Sequence, residues 1–128
     1  MAEAILKHKS LPNVEVKSAG IYAMSGSSMS QHAQAVLNEK NIPHNHQASL
    51  VEKANILNAD LVLTMTTAHK MLLINMYGED VIDKLYTLKE YINENKHLDV
   101  SDPYGGTVNT YYQTFEELNN SIEKLKNI

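Results

Sequence analysis

The chain has 128 residues, a length that suits one compact domain with a single core. Hydrophobic residues make up 43% and charged residues 20%, as in a soluble globular protein, and no apolar run approaches the roughly 20 residues needed to cross a bilayer. The net charge of −4 and the scattered lysines leave no continuous cationic stripe, which weighs against nucleic acid as the main partner.

Two residue types are missing from the composition. The chain contains no cysteine, and its 11 basic residues are all lysine. The first absence excludes a disulfide scaffold, and the second removes the side chain best suited to bind a phosphate through two parallel hydrogen bonds. No basic segment with an apolar core precedes the domain, so we expect a cytoplasmic protein without a membrane partner. We also expect no cofactor and no bound metal, because the histidine pair His44 and His46 has no neighbouring cysteine or acidic partner in the sequence.

The first part of the chain predicts two helices with a strand between them. Residues 1–9 predict a helix, and the alternation of apolar and polar side chains over residues 14–18 predicts a strand. A polar loop with glycines fills residues 19–29. Ser30 can then cap a helix that reaches about residue 40. The inner face of that helix carries Ala33, Val36 and Leu37.

The middle of the chain alternates helix and strand. Ser49 and Glu52 have the spacing of a capping box, and Thr66 or Thr67 can cap a later helix. The predicted elements are a short helix through residue 57, a strand at residues 61–65, a helix to about residue 76, a strand around residues 85–88 and a polar, partly helical stretch up to residue 98. This alternation predicts an α/β fold with a parallel sheet covered on both faces.

A long amphipathic helix ends the chain, and Thr107 is its natural cap. Apolar residues recur at steps of three and four, which is the spacing of one buried stripe. They are Val108, Tyr111, Phe115, Leu118, Ile122 and Leu125.

The loop before this helix joins a carboxyl group, a rigid residue and an aromatic ring. It reads DPYGG at residues 102–106. Proline fixes its own φ and pushes Asp102 toward extended backbone, while Gly105 and Gly106 permit φ angles closed to other residues. Asp102 and Tyr104 can therefore lie on one side of a turn, where the carboxyl group could transfer a proton. The same residues are also common in ordinary surface turns.

Several segments together resemble the low-molecular-weight protein phosphatase family, in the family's order and at about its spacing. The segments are MAEA at residues 1–4, SAG at 18–20, ADLVLTM at 59–65 followed by HK at 69–70, YTL at 86–88 and DPYGG at 102–106. The resemblance covers nearly the whole chain. It implies a single phosphatase-like domain over residues 1–128, with a small parallel sheet and helices on both of its faces.

The sequence departs from the family at one place. In the family, MAE directly follows a loop of a cysteine, five residues, an arginine, a serine and a proline, and that loop follows the first central strand. The resemblance therefore implies an N-terminally truncated domain that lacks this strand, the phosphate loop and the nucleophile. We expect the chain alone to be inactive, and the strands left unpaired allow self-association.

The resemblance also implies roles for individual residues. Asp102 matches the general acid that protonates the leaving group while a phosphocysteine intermediate forms. Tyr22 and Tyr104 match the walls of the substrate slot, and Ser18 and His46 match a pair that supports the phosphate loop from below. Tyr22 could instead pack on the sheet, Tyr104 could be a surface ring, and His46 could be exposed to solvent.

The expected substrate is a phosphorylated protein or peptide. Arsenate reduction, found in other relatives, needs further thiols and is disfavoured by the lack of cysteine. Between phosphotyrosine and phosphoarginine, Gly105 and Gly106 favour the arginine phosphatases mildly. The alternative function is a non-catalytic pseudophosphatase or protein-interaction module, which the missing thiol and guanidinium would favour.

Overall fold

The computed structural model describes residues 1–21, 29–45, 48–94 and 97–125. They belong to two compact units: a helical unit of residues 1–50 and 102–128, and a sheet unit of residues 51–101. Among the described residues, no helix combines the length and the apolar character that a membrane span requires. The single domain expected over the whole chain stays a prediction.

Within its described residues, the helical unit contains three helices. They are α1 (Ala2–His8), α2 (Gln31–Glu39) and, late in the chain, the helix Val108–Glu123. The sheet unit contains α3 (Lys53–Asn58), β1 (Val62–Thr64), α4 (Thr67–Tyr77), β2 (Leu85–Thr87) and α5 (Leu88–Tyr91), with 3-10 turns at Gly78–Asp80 and Ile82–Lys84. The helix Val108–Glu123 is therefore α6.

The core of the helical unit lies where α6 packs against α1 and α2. The predicted stripe of α6 is buried at Tyr111, Phe115, Leu118 and Ile122, and Leu125 continues it past the helix end. The facing residues are also buried, and they are Ala4, Ile5, Ala33, Val36 and Leu37. Val108 was predicted on the stripe and this is wrong, because it lies in the first turn of α6 with 37% of its surface exposed.

The helices α2 and α6 begin where the sequence predicts. The Ser30 side chain accepts a hydrogen bond from Ala33 N, and the Thr107 side chain accepts one from Thr110 N. Each cap satisfies a backbone N–H that has no partner inside its helix. Both predicted caps are confirmed.

Residues 14–18 do not form the predicted strand. Val14 and Val16 are half-buried while their neighbours are exposed, so the alternation of the side chains is present. The two valines line a groove together with Leu6 and Leu11. A strand also needs a backbone partner, and within the described residues the nearest ladder contact is the parallel bridge between Gly20 and Leu50. The alternation therefore reflects the packing of one side of this segment and not the pairing of its backbone with another strand.

The sheet unit is built on a parallel pair of strands. In β1 and β2, Val62 pairs with Leu85 and Thr64 pairs with Thr87. Parallel strands need a crossover connection, and α4 provides it before packing, with α5, against both strands. The predicted strands at residues 61–65 and 85–88 are confirmed, slightly shortened. In the part of the chain that the structure describes, β2 is the one ladder partner of β1.

The helices of the sheet unit have side-chain caps, one of which differs from the prediction. Thr66 caps α4 by accepting from His69 N. The predicted capping box at Ser49 is wrong, because α3 begins at Lys53 and Asn55 accepts from Glu52 N. Ser49 still lies in extended chain, where its carbonyl oxygen accepts from Gly20 N at 2.8 Å.

An acidic side chain connects the end of the sheet unit to the start of α4. Asp99 Oδ1 accepts from Thr67 N at 2.7 Å and from Thr67 Oγ1 at 2.9 Å. These two bonds, the backbone one first, lower the pKa of Asp99. Negative charge at a helix N-terminus is also favoured by the helix dipole. Val100 N donates to Met65 O at 2.7 Å and anchors the same segment beside β1.

We expect Leu118→Ala to lower the free energy of unfolding by about 2–5 kcal/mol, because it removes a packed side chain from the α6 core. The matched control is Gln113→Ala on the exposed face of the same helix, which should change stability by about 0.5 kcal/mol or less. Urea unfolding followed by circular dichroism measures both. Equal losses for the two variants would contradict the packing described here.

We expect Asp99→Asn to lower the urea midpoint at neutral pH. We expect the difference from wild type to become smaller in acid. The pKa of Asp99 is lowered in the folded state, so its contribution is present above the ordinary pKa of about 3.9 and is lost as pH falls through the folded value. Unfolding curves at neutral pH and at about pH 3 test this. Asp83→Asn, another exposed aspartate of the sheet unit, is the control. A difference from wild type that stays constant with pH would contradict the assignment.

Candidate functional site

The DPYGG segment forms a tight turn directly before α6. Gly106 N donates to Pro103 O at 2.8 Å, which closes the turn. Gly105 has φ +79°, the value that the third residue of a type II turn requires and that glycine adopts without strain. The pattern of residues 102–106 therefore folds locally, through Pro103 at its start and Gly105 at its corner.

The Asp102 carboxylate is part of this turn. Its Oδ1 accepts a hydrogen bond from Tyr104 N at 3.0 Å, an arrangement in which the side chain imitates a backbone turn. The side chain is exposed. Because Oδ1 faces an N–H donor, Oδ2 is the oxygen that carries the proton when the group is a neutral acid. The geometry thus leaves Oδ2 outside this hydrogen bond.

The turn is packed closely onto the first turn of α6. A Cβ atom added to Gly106 would lie 2.9 Å from Pro103 O and 2.9 Å from both Thr110 Cβ and Thr110 Cγ2. Carbon atoms do not approach so closely, so only glycine fits at this position without a shift of the backbone. Gly106 is therefore required for space, whereas Gly105 is required for its φ angle.

Tyr104 points into solvent, with 87% of its surface exposed. An exposed ring next to Asp102 is available to cover a flat substrate group, and it equally fits a plain surface turn. Its role as a wall of a substrate slot stays a prediction. Tyr22, the other predicted wall, lies outside the described residues.

Ser18 and His46 are the two residues predicted to support a phosphate loop, and the structure describes only Ser18. The Ser18 hydroxyl donates to Glu3 Oε2 in the first turn of α1, and Glu3 Oε1 is 2.7 Å from Lys7 Nζ. Ser18 therefore connects residues 14–20 to α1 through a carboxylate that the sequence reading missed. Its role beneath a phosphate loop stays a prediction, and His46 lies outside the described residues.

The structure brings Asp102 and Tyr104 together in one turn and joins Ser18 to Glu3. His44 Nε2 is 2.9 Å from Asn38 Oδ1, so this histidine interacts with α2.

Within the described ranges, no group of three or more His, Asp or Glu side chains could hold a metal ion. The whole sequence offers no thiol to attack a substrate. Proton transfer by Asp102 stays a prediction.

Comparisons with known proteins agree on one family. The family model described as low molecular weight phosphotyrosine protein phosphatase matches residues 1–127. The chain is 42% identical over 125 residues to a protein-arginine-phosphatase of Geobacillus stearothermophilus, covering 98% of this chain and 83% of the relative. It is 35% identical over 128 residues to the low molecular weight protein-tyrosine-phosphatase PtpB of Staphylococcus aureus, covering 100% and 88%.

The solved structures give the same result for the fold. The YwlE arginine phosphatase from Geobacillus stearothermophilus superposes with a TM-score of 0.91 at 41% identity, covering 96% of this chain and 79% of that one. A low molecular weight protein tyrosine phosphatase from T. tengcongensis superposes with a TM-score of 0.87 at 38% identity, covering 96% and 85%. The expected α/β fold, with a small parallel sheet and helices, is confirmed.

We expect Gly106→Ala to open the turn and to lower the free energy of unfolding by about 1–3 kcal/mol, because the added methyl group overlaps Pro103 O and the Thr110 side chain. The Tyr104 amide proton should then exchange faster with solvent, since its bond to Asp102 is lost. Amide exchange measured by NMR, together with urea unfolding, tests this.

The control for that substitution is Gly105→Asn. Asparagine tolerates positive φ better than most residues, and a Cβ atom added at position 105 meets no atom within 4 Å among the described residues. We expect this variant to keep the Tyr104 amide protected. A Gly106→Ala variant as stable and as protected as wild type would show that the close approach is not real.

Proposed function

Because the chain belongs to the low molecular weight phosphotyrosine protein phosphatase family, we propose that it supplies the scaffold and the proton donor of a cysteine-dependent protein phosphatase. The family is one of hydrolases that act on phosphorylated proteins. The observation that carries the proposal is the Asp102 turn, which holds an exposed carboxyl group through the Tyr104 amide at the entrance to α6.

The proposed reaction has two steps. A thiolate attacks phosphorus, the bond from phosphorus to the leaving oxygen or nitrogen breaks, and the Asp102 carboxyl group gives its proton to that atom. In the second step, water attacks the phosphocysteine, the Asp102 carboxylate takes the proton from the water, and the sulfur leaves as a thiolate. Asp102 thus begins each cycle protonated and recovers its proton at the end.

The thiolate and the phosphate clamp are not among these residues. The 128 residues contain no cysteine and no arginine, so they cannot form the intermediate or bind its oxygens through a guanidinium group. We infer that they do not catalyse the reaction alone. The reaction becomes available when a cysteine-to-arginine loop is supplied next to the Asp102 turn.

The substrate that we propose is protein phosphoarginine, with phosphotyrosine as the second choice. Gly105 and Gly106 leave Tyr104 as the one large side chain that follows Asp102 in the turn. A protein-arginine-phosphatase at 42% identity supports this choice, and a protein-tyrosine-phosphatase of Staphylococcus haemolyticus at 40% identity keeps phosphotyrosine as the competitor. The exposed Tyr104 ring offers a flat surface to either substrate.

The test compares the purified chain with a loop-bearing chimera, in which the first strand and the cysteine-to-arginine loop of a family member precede Met1. We expect no turnover by the chain and turnover by the chimera, faster on phosphoarginine peptides than on phosphotyrosine peptides. In the chimera, Asp102→Asn should lower kcat by about 10²–10⁴-fold, the contribution of a general acid. Asp83→Asn, which changes an exposed carboxylate of the sheet unit, should leave kcat unchanged.

Two results would overturn the proposal. Phosphate release by the unmodified chain that depends on Asp102 would contradict its inactivity alone. A folded chimera without phosphatase activity would favour the alternative, a non-catalytic interaction module, for which the missing thiol and guanidinium group are the supporting observations.

A further inference from the structure

The Asp102 turn rests on the side chain of Thr110. A Cβ atom at position 106 would lie 2.9 Å from Thr110 Cβ and from Thr110 Cγ2. The Thr110 methyl group therefore occupies the space directly beside the Gly106 backbone. Thr110 is half-buried, as is Gly106, so this contact is partly shielded from water.

The cap of α6 holds the Thr110 side chain in place. Thr107 Oγ1 accepts from Thr110 N at 3.4 Å and lies 3.3 Å from Thr110 Oγ1. Threonine in a helix divides between two rotamers, and the hydroxyl contact selects one of them. With the hydroxyl group directed to Thr107, the methyl group faces Gly106.

A short series of contacts then leads to the carboxyl group. Gly106 N donates to Pro103 O at 2.8 Å, and Pro103 directly follows Asp102. Asp102 Oδ1 in turn accepts from Tyr104 N at 3.0 Å. A shift at Gly106 therefore moves both ends of the turn that orients the carboxyl oxygens.

We propose that Thr110 is a positioning residue for proton transfer by Asp102, with its methyl group as the part that acts. The proposal rests on the function proposed above, because it assigns Thr110 a role in that reaction. Removal of the methyl group frees the turn to move relative to α6, and the carboxyl group then loses its fixed direction. The hydroxyl group directs the methyl group, which lies beside the Gly106 backbone together with Thr110 Cβ.

Two substitutions separate the parts of the Thr110 side chain. Thr110→Ser removes the methyl group and keeps the hydroxyl group, whereas Thr110→Val keeps a methyl group at the contact and removes the hydroxyl group. Valine in a helix adopts mostly one rotamer, which limits the freedom gained by losing the contact with Thr107. Urea unfolding establishes that both variants are folded before they are compared.

The first readout uses the 128-residue chain itself and needs no enzymatic activity. We expect amide exchange at Tyr104 and Gly106 to rise about fivefold in Thr110→Ser, as for the loss of one packed methyl group, and to stay within about twofold in Thr110→Val. Equal exchange in the two variants, or faster exchange in the valine variant, would overturn the proposal.

The second readout is the dependence of kcat on the leaving group in the loop-bearing chimera. Phenyl phosphate needs a proton on its leaving oxygen, whereas 2,4-dinitrophenolate leaves readily as an anion. We expect Thr110→Ser to lower kcat about tenfold on phenyl phosphate and less than about twofold on 2,4-dinitrophenyl phosphate, with KM unchanged. Equal losses on both substrates would mean a merely structural role and would overturn the proposal.

The two readouts separate this proposal from the one on which it rests. An inactive parent chimera would count against the proposed function, and the exchange measurement on the chain would still decide whether Thr110 supports the turn. An active parent chimera in which Thr110→Ser keeps full kcat on phenyl phosphate would leave the proposed function standing and overturn the role of Thr110.

Discussion

The absence of a side chain at position 106 is the constraint on which the site depends. It lets the turn of residues 102–106 close through Pro103 O and lie directly on Thr110 in the first turn of α6. Helix α6 is in turn fixed by its buried stripe against α1 and α2. The direction of the Asp102 carboxyl group therefore derives from a helix packed in a core, although the carboxyl group itself is exposed.

The proposed function needs more than the Asp102 turn. The sequence contains neither a sulfur nucleophile nor a guanidinium group, so in the proposal this chain supplies only the scaffold and the acid. A general acid alone cannot hydrolyse a phosphoryl bond, because the reaction also needs an attacking atom and charge stabilisation on the phosphoryl oxygens. The proposed reaction therefore requires a phosphate loop beside the Asp102 turn.

Much of the fold could be predicted from the sequence, because local signals and tertiary packing agree. The caps Ser30 and Thr107 and the buried stripe of α6 lie where the spacing predicts them. The prediction of a strand at residues 14–18 was wrong because alternation indicates which side chains are buried and does not indicate whether the backbone has a partner strand. The predicted cap at Ser49 is wrong because α3 begins later, at Lys53, whereas Ser49 contacts Gly20, which is distant in sequence.

The turn at residues 102–106 was predictable from the sequence, whereas the contacts that support it were not, and the roles of Asp102 and Tyr104 stay predictions. The sequence places Asp102 between a proline and two glycines, which is enough to predict a turn that carries a carboxyl group. Nothing in the spacing separates Gly105, needed for its φ angle, from Gly106, needed for space. The contacts of Thr110 with Gly106 and of Glu3 with Ser18 depend on three-dimensional packing. In the sequence, the one indication of them is that Thr110 lies close to the Thr107 cap and Glu3 close to the start of α1.

The dependence of kcat on the leaving group in the loop-bearing chimera tests the central claim most directly. If Asp102 gives its proton to the leaving group, Asp102→Asn must lower kcat strongly on phenyl phosphate and only slightly on 2,4-dinitrophenyl phosphate, whose phenolate leaves readily as an anion. An Asp102→Asn chimera that keeps most of its kcat on phenyl phosphate, or that loses kcat equally on both substrates, would contradict the account, because Asp102 would then not be the proton donor.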